Sequence, residues 1–219
     1  MDRRSFLSST VKKNSESGDP PLTRNKYANK AQPKFKKSAA AAGIAPYSGP
    51  WERKHIRHLL NRTMYGCTPA QMQTASSMTM DQLVSLLLTP VAAPAPPLYN
   101  YYNEGIDPDC TMGGTWINAP YNADFDGLRV QSLKDWWLQQ MLEQGISIQE
   151  KMTVLLQNCA SIQFYSVLAA QYAYDYNVLC RSYALGNYKS FIHDMGTNKA
   201  MLIYLNGYKN QKNNPDENF

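Results

Sequence analysis

Three histidines are the whole imidazole supply of this chain: His55, His58 and His193. His55 and His58 stand three apart, and His58 and Arg62 four apart, so a helix would put them on one face. A metal site built on them would need a carboxylate such as Asp194 to complete it. The simpler reading is that His58 and Arg62 hold an acidic group, Glu217 for example, in a structural ion pair. No metal and no cofactor is expected. A second group of polar residues crowds the C-terminal segment: Asn206, Asn210, Asn213, Asn214, Glu217 and Asn218. Amides with a carboxylate suit Ca²⁺ or sugar hydroxyls. The same residues also suit tight turns, because asparagine tolerates left-handed backbone. The four cysteines include no Cys-x-x-Cys pair and lie among apolar or tyrosine-rich residues, so inert buried thiols are expected. No Gly-x-Gly-x-x-Gly, P-loop or Gly-x-Ser-x-Gly string occurs.

The elements that must position these groups are helices. Of the 219 residues 43% are apolar and 18% charged, enough for a folded core. No run of about 18 apolar residues exists, so no membrane-spanning helix is expected. Trp51, Ile56, Leu59, Leu60 and Met64 form an apolar stripe after Pro50, which predicts a first helix ending before Gly66. Thr68 with Pro69, and Thr79 with Gln82, mark two further starts. Leu128–Gln144, a helix opened by a Ser147/Glu150 capping box, Ala169–Leu185, a helix capped by Asn187 and one capped by Thr197 complete the set. The class is all-α, an irregular bundle of roughly eight helices. Residues 89–122 carry six prolines and several aromatics without a helical period, and read as a long loop packed on the surface.

Charge divides the chain unevenly. Residues 1–50 carry a balance of +7, and residues 51–219 a balance of −2. The basic part lacks large apolar residues, so residues 1–46 are expected to be a disordered leader, with the domain spanning 47–219. Lys12, Lys13, Lys34, Lys36 and Lys37 could neutralise phosphates, but a solubilising leader is preferred to nucleic-acid binding. Arg3-Arg4-Ser5-Phe6-Leu7 looks like the core of a twin-arginine export signal, while the apolar stretch that should follow is missing. Export and a cytoplasmic location both stay open.

Five strings then resemble one bacterial family, "domain of unknown function 1800". They are His58-Leu59-Leu60-Asn61-Arg62 with its continuation to Pro69, Glu150-Lys151-Met152-Thr153, Arg181-Ser182-Tyr183 with its continuation to Asn187, Ala200-Met201-Leu202-Ile203-Tyr204-Leu205-Asn206-Gly207, and Asn214-Pro215-Asp216-Glu217-Asn218-Phe219. The resemblance implies a helical protein, often exported and often encoded beside a sulfatase-like partner. Family members carry Trp-His-Asn-His-Phe where this chain reads Leu156-Gln157-Asn158-Cys159-Ala160. Members also continue past the closing string, so this chain is expected to be a truncated fragment. Together these readings give a candidate polar site of His58, Arg62, Asn158 and Arg181, with Asn206, Asn210, Glu217 and Asn218. The expected function is a binding or scaffold module, without catalysis, acting with a sulfatase-like partner on a polysaccharide. The alternative is a hydrolase-like enzyme whose site needs a C-terminal half beyond Phe219.

Overall fold

The computed structural model describes residues 47–101 and 105–213. The expected leader, residues 1–46, lies outside the described residues, as do Glu217 and Asn218. Eight α-helices, and no sheet, occur among the described residues: α1 Arg53–Thr63, α2 Pro69–Ser76, α3 Met80–Leu87, α4 Asp126–Glu143, α5 Gln149–Cys159, α6 Ala170–Ser182, α7 Tyr188–Met195 and α8 Lys199–Tyr204. Phe164–Ser166 and Gly207–Lys209 are single 3₁₀ turns.

Local chemistry sets most of the helix starts. Gln71 N–H donates to Thr68 Oγ1 at 3.1 Å while Thr68 N–H donates back to Gln71 Oε1 at 2.8 Å. Thr79 and Gln82 repeat the exchange at 3.3 and 2.9 Å. Each exchange satisfies two N–H groups that the first turn would leave open. Ser190 N–H donates to Asn187 Oδ1 at 3.1 Å and starts α7. Three starts differ from the sequence reading. α1 begins at Arg53, past Pro50, where Glu52 N–H donates to His55 Nδ1 at 3.2 Å. α8 is capped by Asn198, whose Oδ1 accepts from the Ala200 and Met201 N–H groups, rather than by Thr197. α5 has no Ser147/Glu150 box, because Glu150 is taken by another partner described below.

Two apolar clusters organise the fold. The smaller gathers Ile56 and Leu60 of α1, and Met64 just past its end, with Met72 and Ala75 of α2 and Leu83 and Leu87 of α3. The larger is built by α4, α6, α7 and α8, with Leu156 of α5, around Leu133, Trp136, Tyr176 and Phe191. Ile148 N–H donates to Leu87 O at 3.1 Å, and Gln71 Nε2 to Gln144 O at 2.7 Å, tying one set of helices to the other.

Most described residues of the stretch 89–122 lie at the surface, as read, but the stretch also sends buried anchors into the core, which the sequence reading missed. Tyr99 and Trp116 are both fully buried in the larger cluster. Trp116 Nε1 donates to Ser132 Oγ of α4 at 2.6 Å. Arg129 donates to both carboxylate oxygens of Asp107, at 2.7 and 3.0 Å, and to Pro120 O at 2.7 Å. Gly114 closes the turn that brings Trp116 inward. A Cβ there would stand 2.9 Å from Thr111 O, so only glycine fits without moving backbone.

Candidate functional site

The structure disperses the predicted polar residues. His58 and Arg62 are exposed on α1, which packs chiefly against α2. Asn206 takes a left-handed conformation, φ 59°, ahead of the turn Gly207–Lys209, and its carbonyl accepts from Lys209 N–H at 2.9 Å. Asn206 therefore does turn chemistry. Asn210 is exposed at the end of that turn. Glu217 and Asn218 lie outside the described residues. Arg181 and Asn158 remain, and each belongs to a defined place.

Arg181 of α6 is buried and forms a two-pronged ion pair with Glu150 of α5, one arm at 3.0 Å. Its carbonyl accepts from Gln149 Nε2 at 2.6 Å, and its guanidinium lies 5.4 Å from the centroid of the Trp136 ring. The pair fastens α5 to α6 at the start of α5. A buried charge is tolerated only when matched in this way.

Asn158 belongs to an open cleft of about 400 Å³ at the other end of α5. The cleft exists because α5 stops there. Tyr176 Oη donates to Ala160 O at 2.7 Å, pinning the chain as it leaves the helix, and the next residues turn into Phe164–Ser166. That turn sets Phe164 against Trp137 of α4, with ring centroids 6.2 Å apart and a 35° tilt. Phe164 also meets Tyr176 edge to face at 6.3 Å. Tyr165 stands 55% exposed, with Lys134 Nζ 4.0 Å from its ring centroid. Gln157, only 7% exposed, and Asn158 supply amides. The Gln157 Nε2 and Trp137 Nε1 donors have no hydrogen-bond partner among the described residues. Leaving a buried donor unmatched costs about 1–3 kcal/mol each.

A larger hollow of about 530 Å³ lies against α4 near Tyr101 and Asp135. Several of its polar groups are already matched. Trp136 Nε1 donates to Ala95 O at 2.7 Å, Tyr101 Oη bonds Asp135, and Ser132 Oγ donates to Arg129 O at 2.9 Å. The smaller cleft is the one that sets an exposed amide, Asn158, beside aromatic faces. No carboxylate, histidine or cysteine lines it. Its chemistry is that of holding a ligand by stacking and N–H donation.

The family model described as protein of unknown function (DUF1800) matches residues 58–219. The chain belongs to this family. No curated protein and no solved structure matches it. Two of the strings that carry the DUF1800 resemblance, Glu150–Thr153 and the one opening at Arg181, meet through the buried ion pair. The two DUF1800 histidine positions fall differently. Gln157 lines the cleft, whereas Cys159 is exposed and does not. Only Cys110 and Cys180 are fully buried thiols, and burial pushes Cys180 up to about 12. Among the described residues no three His, Cys, Asp or Glu side chains come together as metal ligands. Lys134 and Tyr165 escaped the sequence reading, and Tyr165 sits in a segment without periodicity.

Proposed function

We propose that this DUF1800 chain is a binding module that holds a saccharide in the cleft between α4 and the end of α5, and serves as a scaffold for a sulfatase-like partner. The observation that carries the reading is the meeting of an exposed amide, Asn158, with the rings of Phe164 and Tyr165 in one open hollow. Sugar rings present apolar faces to aromatic side chains and hydroxyl oxygens to amide donors, which is the combination present here. The sulfatase-like partner rests on the family resemblance alone.

Titration calorimetry of the full chain against a panel of neutral and acidic oligosaccharides tests the reading. At least one panel member should bind, and Tyr165→Ala or Asn158→Ala should weaken it by roughly tenfold, the size of one lost stacking or amide contact. A panel without a binder, or variants that bind as well as the parent, would reject the cleft.

A further inference from the structure

We infer that the cleft selects an acidic saccharide, whose anionic oxygen group pairs with Lys134 while its ring lies against the aromatic wall. This rests on the saccharide reading above. Three observations on the cleft converge.

First, Lys134 is the single charged side chain lining it. The body, residues 51–219, has a balance of −2, so the positive charge is a local feature of the hollow. Second, that charge is not matched by a carboxylate. None of the ion pairs among the described residues includes Lys134. The neighbouring acid, Asp135, is engaged by Tyr101 Oη and by Gln131 Nε2 at 2.9 Å. Lys134 instead rests over the Tyr165 ring at 4.0 Å. A cation on a ring face at a partly exposed site is held weakly, so the ammonium keeps its capacity for an anion. Third, the exposed Asn158 amide adds N–H donors to the same cleft. An ammonium beside an amide calls for a ligand rich in acceptors, and a carboxylate or an ester sulfate is the richest that a sugar carries.

The basic segment of residues 1–50 would also attract polyanions without selectivity, so the test must separate the two sources of charge. Calorimetry on the full chain at physiological ionic strength would use oligogalacturonate and its fully methyl-esterified form, which share a sugar and differ in charge. A dextran sulfate oligomer and plain dextran form the second pair. In at least one pair the acidic member should bind roughly tenfold tighter than the neutral one, as expected for one charge-assisted hydrogen bond in a half-open site. The pair that shows the preference tells carboxylate from sulfate. Lys134→Met keeps the apolar stem and should bring the ratio of acidic to neutral affinity down to about one. Lys134→Arg should restore the preference. Equal affinity for acidic and neutral members would overturn the inference and leave the saccharide reading standing. An acidic preference that survives in Lys134→Met would also overturn it, by placing the selection on the basic segment. If no saccharide binds, both readings fall together.

Discussion

Glu150 and Arg181 illustrate how much can hang on one pair of side chains. Both are buried, and each leaves the other uncompensated if removed. Arg181→Met should therefore lower stability by about 3–5 kcal/mol in urea denaturation. The double variant Glu150→Leu/Arg181→Met should recover a good part of that loss, since it removes both charges at once. A double variant as unstable as the sum of the singles would mean that the pair does not act as a unit. Asp107 makes a different prediction. Burial opposes its ionisation, but the hydrogen bonds and charge of Arg129, with the Asp109 N–H, outweigh burial and hold the carboxyl below its ordinary value. A depressed folded value means a contribution present above the unfolded value, near pH 4, and lost as pH falls below it. The penalty of Asp107→Asn should accordingly shrink in unfolding measurements taken from pH 6 down to pH 3. Asp126 runs the other way. Burial raises its carboxyl, in spite of the Ala170 N–H and Arg129. Its charged form costs stability at neutral pH, and that cost is relieved as pH drops through the raised value.

At the scale of elements, helix ends are matched by groups from elsewhere in the chain. α6 begins after Ala169, which has no capping side chain, and the cap comes from Asp126 Oδ1, accepting from Ala170 N–H at 2.8 Å. The first residue of α4 thus closes the start of α6. Asp126→Ala should cost about 1 kcal/mol through that lost cap, read as a lower thermal midpoint. Ser147 is no cap in the expected sense, since Ile148 holds that position. Its buried hydroxyl still accepts from Gln149 N–H at 3.1 Å. Leu168 carries the strain of the same junction, with φ 69° on a side chain that is mostly exposed. Leu168→Asn should raise stability by up to about 1 kcal/mol, because asparagine takes that conformation more easily and little packing is lost. An unchanged or lower midpoint would show that Leu168 packs more tightly than its exposure suggests.

The whole molecule depends on the irregular stretch 89–122 as much as on any helix. Trp116 is clasped by Ser132, by the ring of Tyr174 at 6.3 Å and by the fold of its own segment. Gln171 Nε2 of α6 donates to Ala119 O at 2.9 Å, so the segment also bridges α4 to α6. Trp116→Ala should cost about 3–5 kcal/mol, the range for a large buried aromatic, and denature the chain at lower urea. A loop merely laid on the surface would give a far smaller change, and that outcome would refute the core role.

The eight helices were legible in the sequence because their signals are local. Stripes such as Ile56, Leu60 and Met64, and caps such as Thr68, Thr79 and Asn187, act within a turn or two of themselves, and the structure forms them as read. The family was legible for the same reason, since its strings are contiguous. The partners of charged and aromatic residues were not. Glu150 read as a capping glutamate, yet Arg181, thirty-one residues on, offers a charged and buried alternative that outweighs an exposed backbone N–H. The proline-rich segment read as surface because it has no period, but a period marks regular structure, not burial, and Trp116 is buried without one. Of the predicted site residues that the structure describes, only Asn158 falls in the cleft. The cleft's other groups come from α4, from the end of α5, from α6 and from the turn Phe164–Ser166, and the packing of α4 and α5 on α6 makes them neighbours.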